Sequence, residues 1–138
     1  MKKRVVVLAV SLLLLGAVTT FAQDVKSNGA APLTKESVNN YLADMKSDNP
    51  GVRVSAAFFA GEYKIEEAVI PLMKMLNSEK SEEARIIAAL SLVKIGTGKA
   101  VYAVKQSATL DNSERVRTLC ARFYNSIALS EANSEAVL

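Results

Sequence analysis

Three arginines, Arg53, Arg85 and Arg117, recur at one constant interval of thirty-two positions. A guanidinium is always charged and offers a planar fork of donors. A regular set of them could hold an anionic ligand or tie successive units of one chain together, and their shared phase favours inter-repeat bonding. Other residues that could do chemistry are few. The chain has no His and one Cys, Cys120. Histidine catalysis is thereby excluded, and a lone thiolate cannot supply a metal's ligand set. No metal site, cofactor or catalytic residue is expected, and the protein reads as a non-enzyme. Cys120 occupies a small-residue position of the repeat and reads as a buried filler. Gly96-Thr97-Gly98-Lys99 invites comparison with a phosphate loop. That pattern needs Gly where Val93 stands and Ser or Thr where Ala100 stands, so the segment reads as a helix-to-helix turn. Glu66-Glu67 and Glu82-Glu83 are acids in first turns, where they favour the helix dipole. Nothing in the sequence places one such pair across a cleft from another, as glycoside hydrolysis would need.

The elements that position these residues are helices. Glu82 to Ile95 is apolar on nearly every side after Arg85, the signature of a helix buried all round. Small residues follow each repeat arginine by three and four positions: Ala56-Ala57, Ala88-Ala89 and Cys120-Ala121. Thr34 is a plausible N-cap for a first helix to about Lys46, with Val38, Tyr41, Leu42 and Met45 on one face. Asn49-Pro50 starts a second helix, which is expected to end at Gly61 in a left-handed cap. A third runs from about Ile65 to Leu76 with Pro71 inside it, which predicts a kink or a reset of its angle. The central helix ends at Gly96. Thr97 or Gly98 caps a fifth helix to about Ala108, with Val101 and Val104 inward. Asp111 opens a sixth, in capping-box spacing with Glu114. Its apolar positions are Val116, Leu119, Cys120, Phe123 and Ile127. No segment alternates with period two.

Ala68-Val69 and Leu72 in the third helix match Ala100-Val101 and Val104 in the fifth, at the same interval as the arginines. Each repeat is therefore a helix pair. A pair cannot bury its apolar stripe alone, so pairs must stack and share a core. The expected fold is all-α: a short right-handed α-solenoid of stacked antiparallel helix pairs, with about six helices. The run Asp48-Asn49-Pro50-Gly51-Val52-Arg53-Val54-Ser55-Ala56-Ala57, followed by Ala68-Val69-Ile70-Pro71-Leu72 and Leu76, resembles a HEAT repeat. Closest are the short HEAT-like repeats also found in phycobilisome lyase families. Val116-Arg117 and Ala84-Arg85 repeat the signature in weaker form, and the resemblance covers about Thr34 to Ile127. It implies a polar ladder in which each arginine bonds an Asp of a neighbouring turn. Asp48 fits that role, Lys80 and Asn112 at the matching positions do not, and Glu82 and Asp111 lie nearby. The first and sixth helices would serve as caps.

Met1 to Ala22 reads as a secretory signal peptide: Lys2, Lys3 and Arg4, then an apolar run, then small residues before Gln23. This points to a periplasmic or secreted protein, and the membrane enters only through this segment if it is kept as an anchor. Without it the basic residues, 17 in the whole chain, fall by three to equal the 14 acidic ones. A neutral chain offers no phosphate-tracking stripe, so nucleic acid is set aside. Residues 23–33 read as a disordered linker, 34–129 as the repeat domain and 130–138 as a flexible tail.

In this architecture a functional surface lines the concave face, built from the second helix of each pair. Its residues off the core stripe are Glu66, Glu67, Ile70, Met73, Lys74, Lys99, Tyr102 and Lys105. Apolar or amphipathic Ile70, Met73 and Tyr102 among charges suit a protein partner better than a small molecule. The expected function is an exported interaction module. Two alternatives stay open. One is a self-associating envelope scaffold, joined end to end near Arg122 and Tyr124. The other is an accessory lyase-like protein, implied by the repeat subtype.

Overall fold

Helical starts follow the capping residues. In a computed structural model, which describes residues 33–135, Thr34 accepts the Ser37 N–H at 3.1 Å and opens α1, Lys35–Asp44. Asn49 accepts from Gly51 N at 2.9 Å, and Pro50 stands at the first position of α2, Pro50–Glu62. A 3₁₀ turn over Glu66–Ala68 leads into α3, Val69–Ser78. Ser81 caps α4, Glu82–Ile95, and Thr97 caps α5, Gly98–Leu110. The last helix, α6, spans Glu114–Glu135. No strand is present among the described residues. The expected signal peptide at 1–22 and the linker up to residue 32 lie outside them. So do residues 136–138. No described helix is long and apolar enough to cross a membrane.

Helices α2, α4 and α6 form one row, and α3 and α5 form a second. The central helix α4 packs against both, touching α2, α3, α5 and α6. This is why Glu82 to Ile95 lacks a polar side: Ala88, Ala89 and Leu92 are fully buried, and Ile86, Ile87 and Val93 are packed against the core. Small residues fill the row contacts, with Ala57, Ala60, Ala88 and Ala89 at zero exposure. Leu72, Leu76, Val104, Val116 and Cys120 complete a continuous core. Helix α1 packs on α2 as a partial cap.

Four local expectations are corrected. Gly61 is not a left-handed cap: it lies inside α2, buried, and the positive φ belongs to Lys64 at 51°. Lys64 N bonds Gly61 O at 3.1 Å and Ile65 N bonds Ala60 O at 2.9 Å, the paired bonds of a Schellman ending with Lys in the usual glycine place. Gly61 serves helix packing instead, since a Cβ there would lie 2.6 Å from Ser91 Cα. Pro71 does not interrupt an established helix. The 3₁₀ turn ends at Ala68, so Pro71 falls in the first turn of α3, where a missing N–H costs little. Asp111 does not cap α6. Ser113 does, its Oγ accepting from Val116 N at 3.3 Å, because Asp111 is committed to Arg85 and to the Ser113 N–H. The sixth helix also runs past the expected boundary at 129, on to Glu135, with no Gly or Pro to stop it.

Candidate functional site

The repeat arginines build a ladder with a constant frame. Arg53 donates through Nε and Nη2 to the two carboxylate oxygens of Glu79, at 2.6 and 3.0 Å. Its Nη1 donates to the carbonyls of Ser47 and Asp48, at 2.8 and 3.1 Å. Arg85 repeats both halves, with Asp111 at 2.9 and 3.1 Å and the carbonyls of Glu79 and Lys80 at 2.9 and 3.2 Å. Arg117 keeps the second half, donating Nη1 to the carbonyls of Asp111 and Asn112 at 2.7 and 3.3 Å. In both completed rungs the carboxylate partner stands 26 residues after its arginine. Asp48 therefore contributes its carbonyl rather than its side chain, a correction to the implied first rung. Glu79, which pairs with Arg53, was missed. The signal was available: Glu79 and Asp111 precede Arg85 and Arg117 by the same short step.

Two further contacts lock the same register on the α2–α4–α6 row. Glu62 pairs with Lys94, and Glu83 with Arg115 at 2.7 Å, each across one repeat length. Hydrogen bonds from its own backbone N–H, Arg115 and Ser81 hold the Glu83 carboxyl down at about 2. The Arg53 fork likewise holds Glu79 below its ordinary 4.5. A carboxyl whose pKa falls on folding contributes stability that is complete above its unfolded value and fades as pH drops through the folded one. The protein should lose stability on acidification below about 4.5. Glu79→Gln should flatten that loss, which thermal melts at steps of pH between neutral and acid would measure.

The candidate chemistry of the remaining motifs resolves into structure. Cys120 is buried, and burial pushes its thiol up to about 11, against thiolate reactivity. Thr97 in Gly96-Thr97-Gly98-Lys99 is an N-cap, and Gly96 takes the left-handed φ of 76° that ends α4. Among the described residues no three Cys, Asp or Glu side chains come together in a way that could hold a metal ion.

The predicted partner surface divides. Ile70 and Tyr102 are 58% and 59% exposed, although both are large and apolar or amphipathic. They stand one repeat apart, at the same phase of α3 and α5, which lie side by side. Lys74, Lys99 and Lys105 are exposed on the same two helices, and Glu66 and Glu67 on the preceding 3₁₀ turn. Met73 is different: it is half-buried and packed against the core. Tyr102 Oη accepts from Gln106 Nε2 at 3.1 Å, and the Lys105 ammonium sits 5.4 Å from the Tyr124 ring centroid. A groove of about 540 Å³ runs beside Ile70, floored by Pro71 and Met75 and bounded by Lys74 and the Arg53–Glu79 rung. At the next rung a groove of about 380 Å³ lies between Leu76, Leu110 and the Arg85–Asp111 pair.

Sequence reasoning missed an aromatic cluster where α1 meets α2. Tyr41 lies 6.0 Å from Phe59 and 5.9 Å from Tyr63, and Phe58 lies 5.5 Å from Phe59. Phe58, Phe59 and Tyr63 are each about 40% exposed. The Phe58-Phe59 pair with Tyr63 one turn on was visible as a helical aromatic face.

Known sequences agree with this geometry. The profile of the family described as HEAT repeats matches residues 40–123, more than half of the chain. The chain belongs to the HEAT-repeat family. Comparison with curated proteins gives no match. HEAT repeats are generally protein-interaction modules. In this HEAT array the profile covers the ladder, the core of both helix rows and the Ile70–Tyr102 surface.

Proposed function

We propose that this HEAT protein is an exported, non-catalytic interaction module that captures a protein partner on the α3–α5 row, around Ile70 and Tyr102. One observation carries the reading: two large side chains at equivalent positions of adjacent helices stay exposed while their neighbours Leu72 and Val104 are fully buried. An apolar residue exposed once needs no account, but the same phase exposed in successive units is a surface with a period. Three lysines at its edge give it a polar rim. Export rests on the basic, apolar and small-residue order of residues 1–22.

Ile70→Asp and Tyr102→Asp should leave the melting temperature within about 4 °C of the parent, as exposed substitutions do. Both should abolish capture of the partner by a photoreactive residue placed at Lys74. Unchanged capture in both variants would remove the α3–α5 row as the site. Recovery of the protein itself alone would move the reading to self-association. The end-to-end form of self-association meets a polar face at the repeat-matched positions of α6. Ile86, Leu90 and Val93 of α4 are half-buried, whereas their equivalents one repeat on, Thr118, Arg122 and Asn125, are polar and exposed. Tyr124 is half-buried, beneath Lys105.

A further inference from the structure

Arg53 and Arg85 are occupied on both edges, and Arg117 on one. In each case Nη1 donates to two successive backbone carbonyls in the turn before its own helix, which fixes the plane of the guanidinium. In the first two the Nε–Nη2 edge then meets a carboxylate. Arg117 is held by the same two carbonyl bonds, yet no carboxylate among the described residues meets its Nε–Nη2 edge. Both oxygens of Asp111, the acid that precedes it in the turn, are already taken by Arg85.

We infer that the Nε–Nη2 edge of Arg117 is a docking point for a carboxylate side chain of a protein partner, carried in a turn as Glu79 and Asp111 are. The chemistry follows from the two completed rungs: the edge is a fork of fixed spacing, it is charged, and it matches a planar carboxylate in a bidentate pair. The partner is a different protein rather than a second copy. The acid positions of the ladder are Glu79 and Asp111, and the equivalent position one repeat earlier is Ser47. A copy stacked in ladder register would bring a hydroxyl, which cannot balance the guanidinium charge. The surroundings suit a polar contact, since Thr118, Arg122 and Asn125 are exposed on the same helix. A contact of this kind contributes orientation and selectivity more than affinity. It is separate from the α3–α5 surface and stands whether or not that surface binds.

The test uses the full ¹⁵N-labelled chain and reads the Nε–H resonances of its arginines, with Arg117→Lys to assign one of them. The probe is the capped tetrapeptide Leu-Asp-Asn-Ser, the sequence of residues 110–113, with Leu-Asn-Asn-Ser as its neutral control. The expected result is a saturable shift at Arg117, with half-saturation at least about fivefold lower than for exposed Arg122. Arg53 and Arg85 should stay unmoved, and the control peptide should do nothing. Three results would overturn the inference. One is an Arg117 response no stronger than that of Arg122. Another is an Arg117 resonance that starts bonded and inert like those of Arg53 and Arg85, which would mean that the edge is filled within the chain. The third is inorganic phosphate displacing the Asp peptide at equal concentration, which would assign the edge to a phosphoryl group instead.

Discussion

Arg85→Ala should destabilise the protein by about 3–5 kcal/mol, the cost of leaving one partner of a buried pair behind. The side chains of Arg85 and Asp111 are 12% and 8% exposed, the most buried ion pair among the described residues. Truncation strands the Asp111 carboxylate with the Ser113 N–H and removes the donor shared by the carbonyls of Glu79 and Lys80. Two units are thus uncoupled at once. Arg85→Lys should recover little, because an ammonium cannot serve a carboxylate and two carbonyls in one plane. Replacing both partners, as Arg85→Met with Asp111→Leu, should recover most of the loss, since no charge is then stranded. Arg117→Ala is the internal control. It removes bonds to two carbonyls and strands no carboxylate, so its cost should stay near 1.5–3 kcal/mol, about that of a charged hydrogen bond. Urea titrations of the four variants measure the ordering. An Arg85→Ala loss no larger than that of Arg117→Ala would mean that the ladder does not hold the units together.

Gly61→Ala should also destabilise, against the usual direction of that change in a helix. At an open helical position the substitution gains about 1 kcal/mol. Here the new Cβ would lie 2.6 Å from Ser91 Cα and 2.7 Å from Ser91 Cβ and Oγ. Backbone must therefore move, and α2 must part from α4. Overpacking of this kind costs about 1–3 kcal/mol. Set against the helical gain, the net loss reaches about 2 kcal/mol at most, which lowers the melting temperature by up to about 8–16 °C in a domain of this size. Ser91→Gly in the same chain should restore only part of the loss, because the new methyl group still meets the backbone at position 91. A melting temperature above that of the parent would show that α2 and α4 are further apart than the approach of Gly61 to Ser91 requires.

Much of the array was legible in local signals. Thr34, Asn49-Pro50 and Thr97 are N-terminal devices that act within one turn, and the structure uses them where they stand. The regular recurrence of arginine and small residues is a statement about helix rows, because equivalent residues must meet equivalent neighbours. It correctly implied that the central helix is enclosed. Pattern could not, however, separate Met73 from Ile70. Both lie near the edge of one apolar stripe, and only the packing of the helices decides which is covered.

The errors share a cause. Gly61 looked like a cap because glycine at a helix end usually releases the backbone into positive φ. Its use is the absence of a side chain toward Ser91, which belongs to a different helix of the row. Asp111 looked like an N-cap because Asp ahead of Glu114 fits the spacing. It is drawn instead to the Arg85 guanidinium, and Ser113 takes the helix.

What the sequence by itself determined is the helical class, the repeat length, most helix starts and the identity of the ladder arginines. These depend on hydrogen bonds and side-chain periods that close within a few residues, or on a recurrence that needs no coordinates. The tertiary structure decided which carboxylates Arg53 and Arg85 hold, why Gly61 is a glycine, which stripe residues stay exposed and that no carboxylate among the described residues meets the Nε–Nη2 edge of Arg117. Those outcomes depend on the distance between helices. Arg53 and Glu79, or Gly61 and Ser91, are remote along the chain, and they come within a few ångströms of one another only when the rows have stacked.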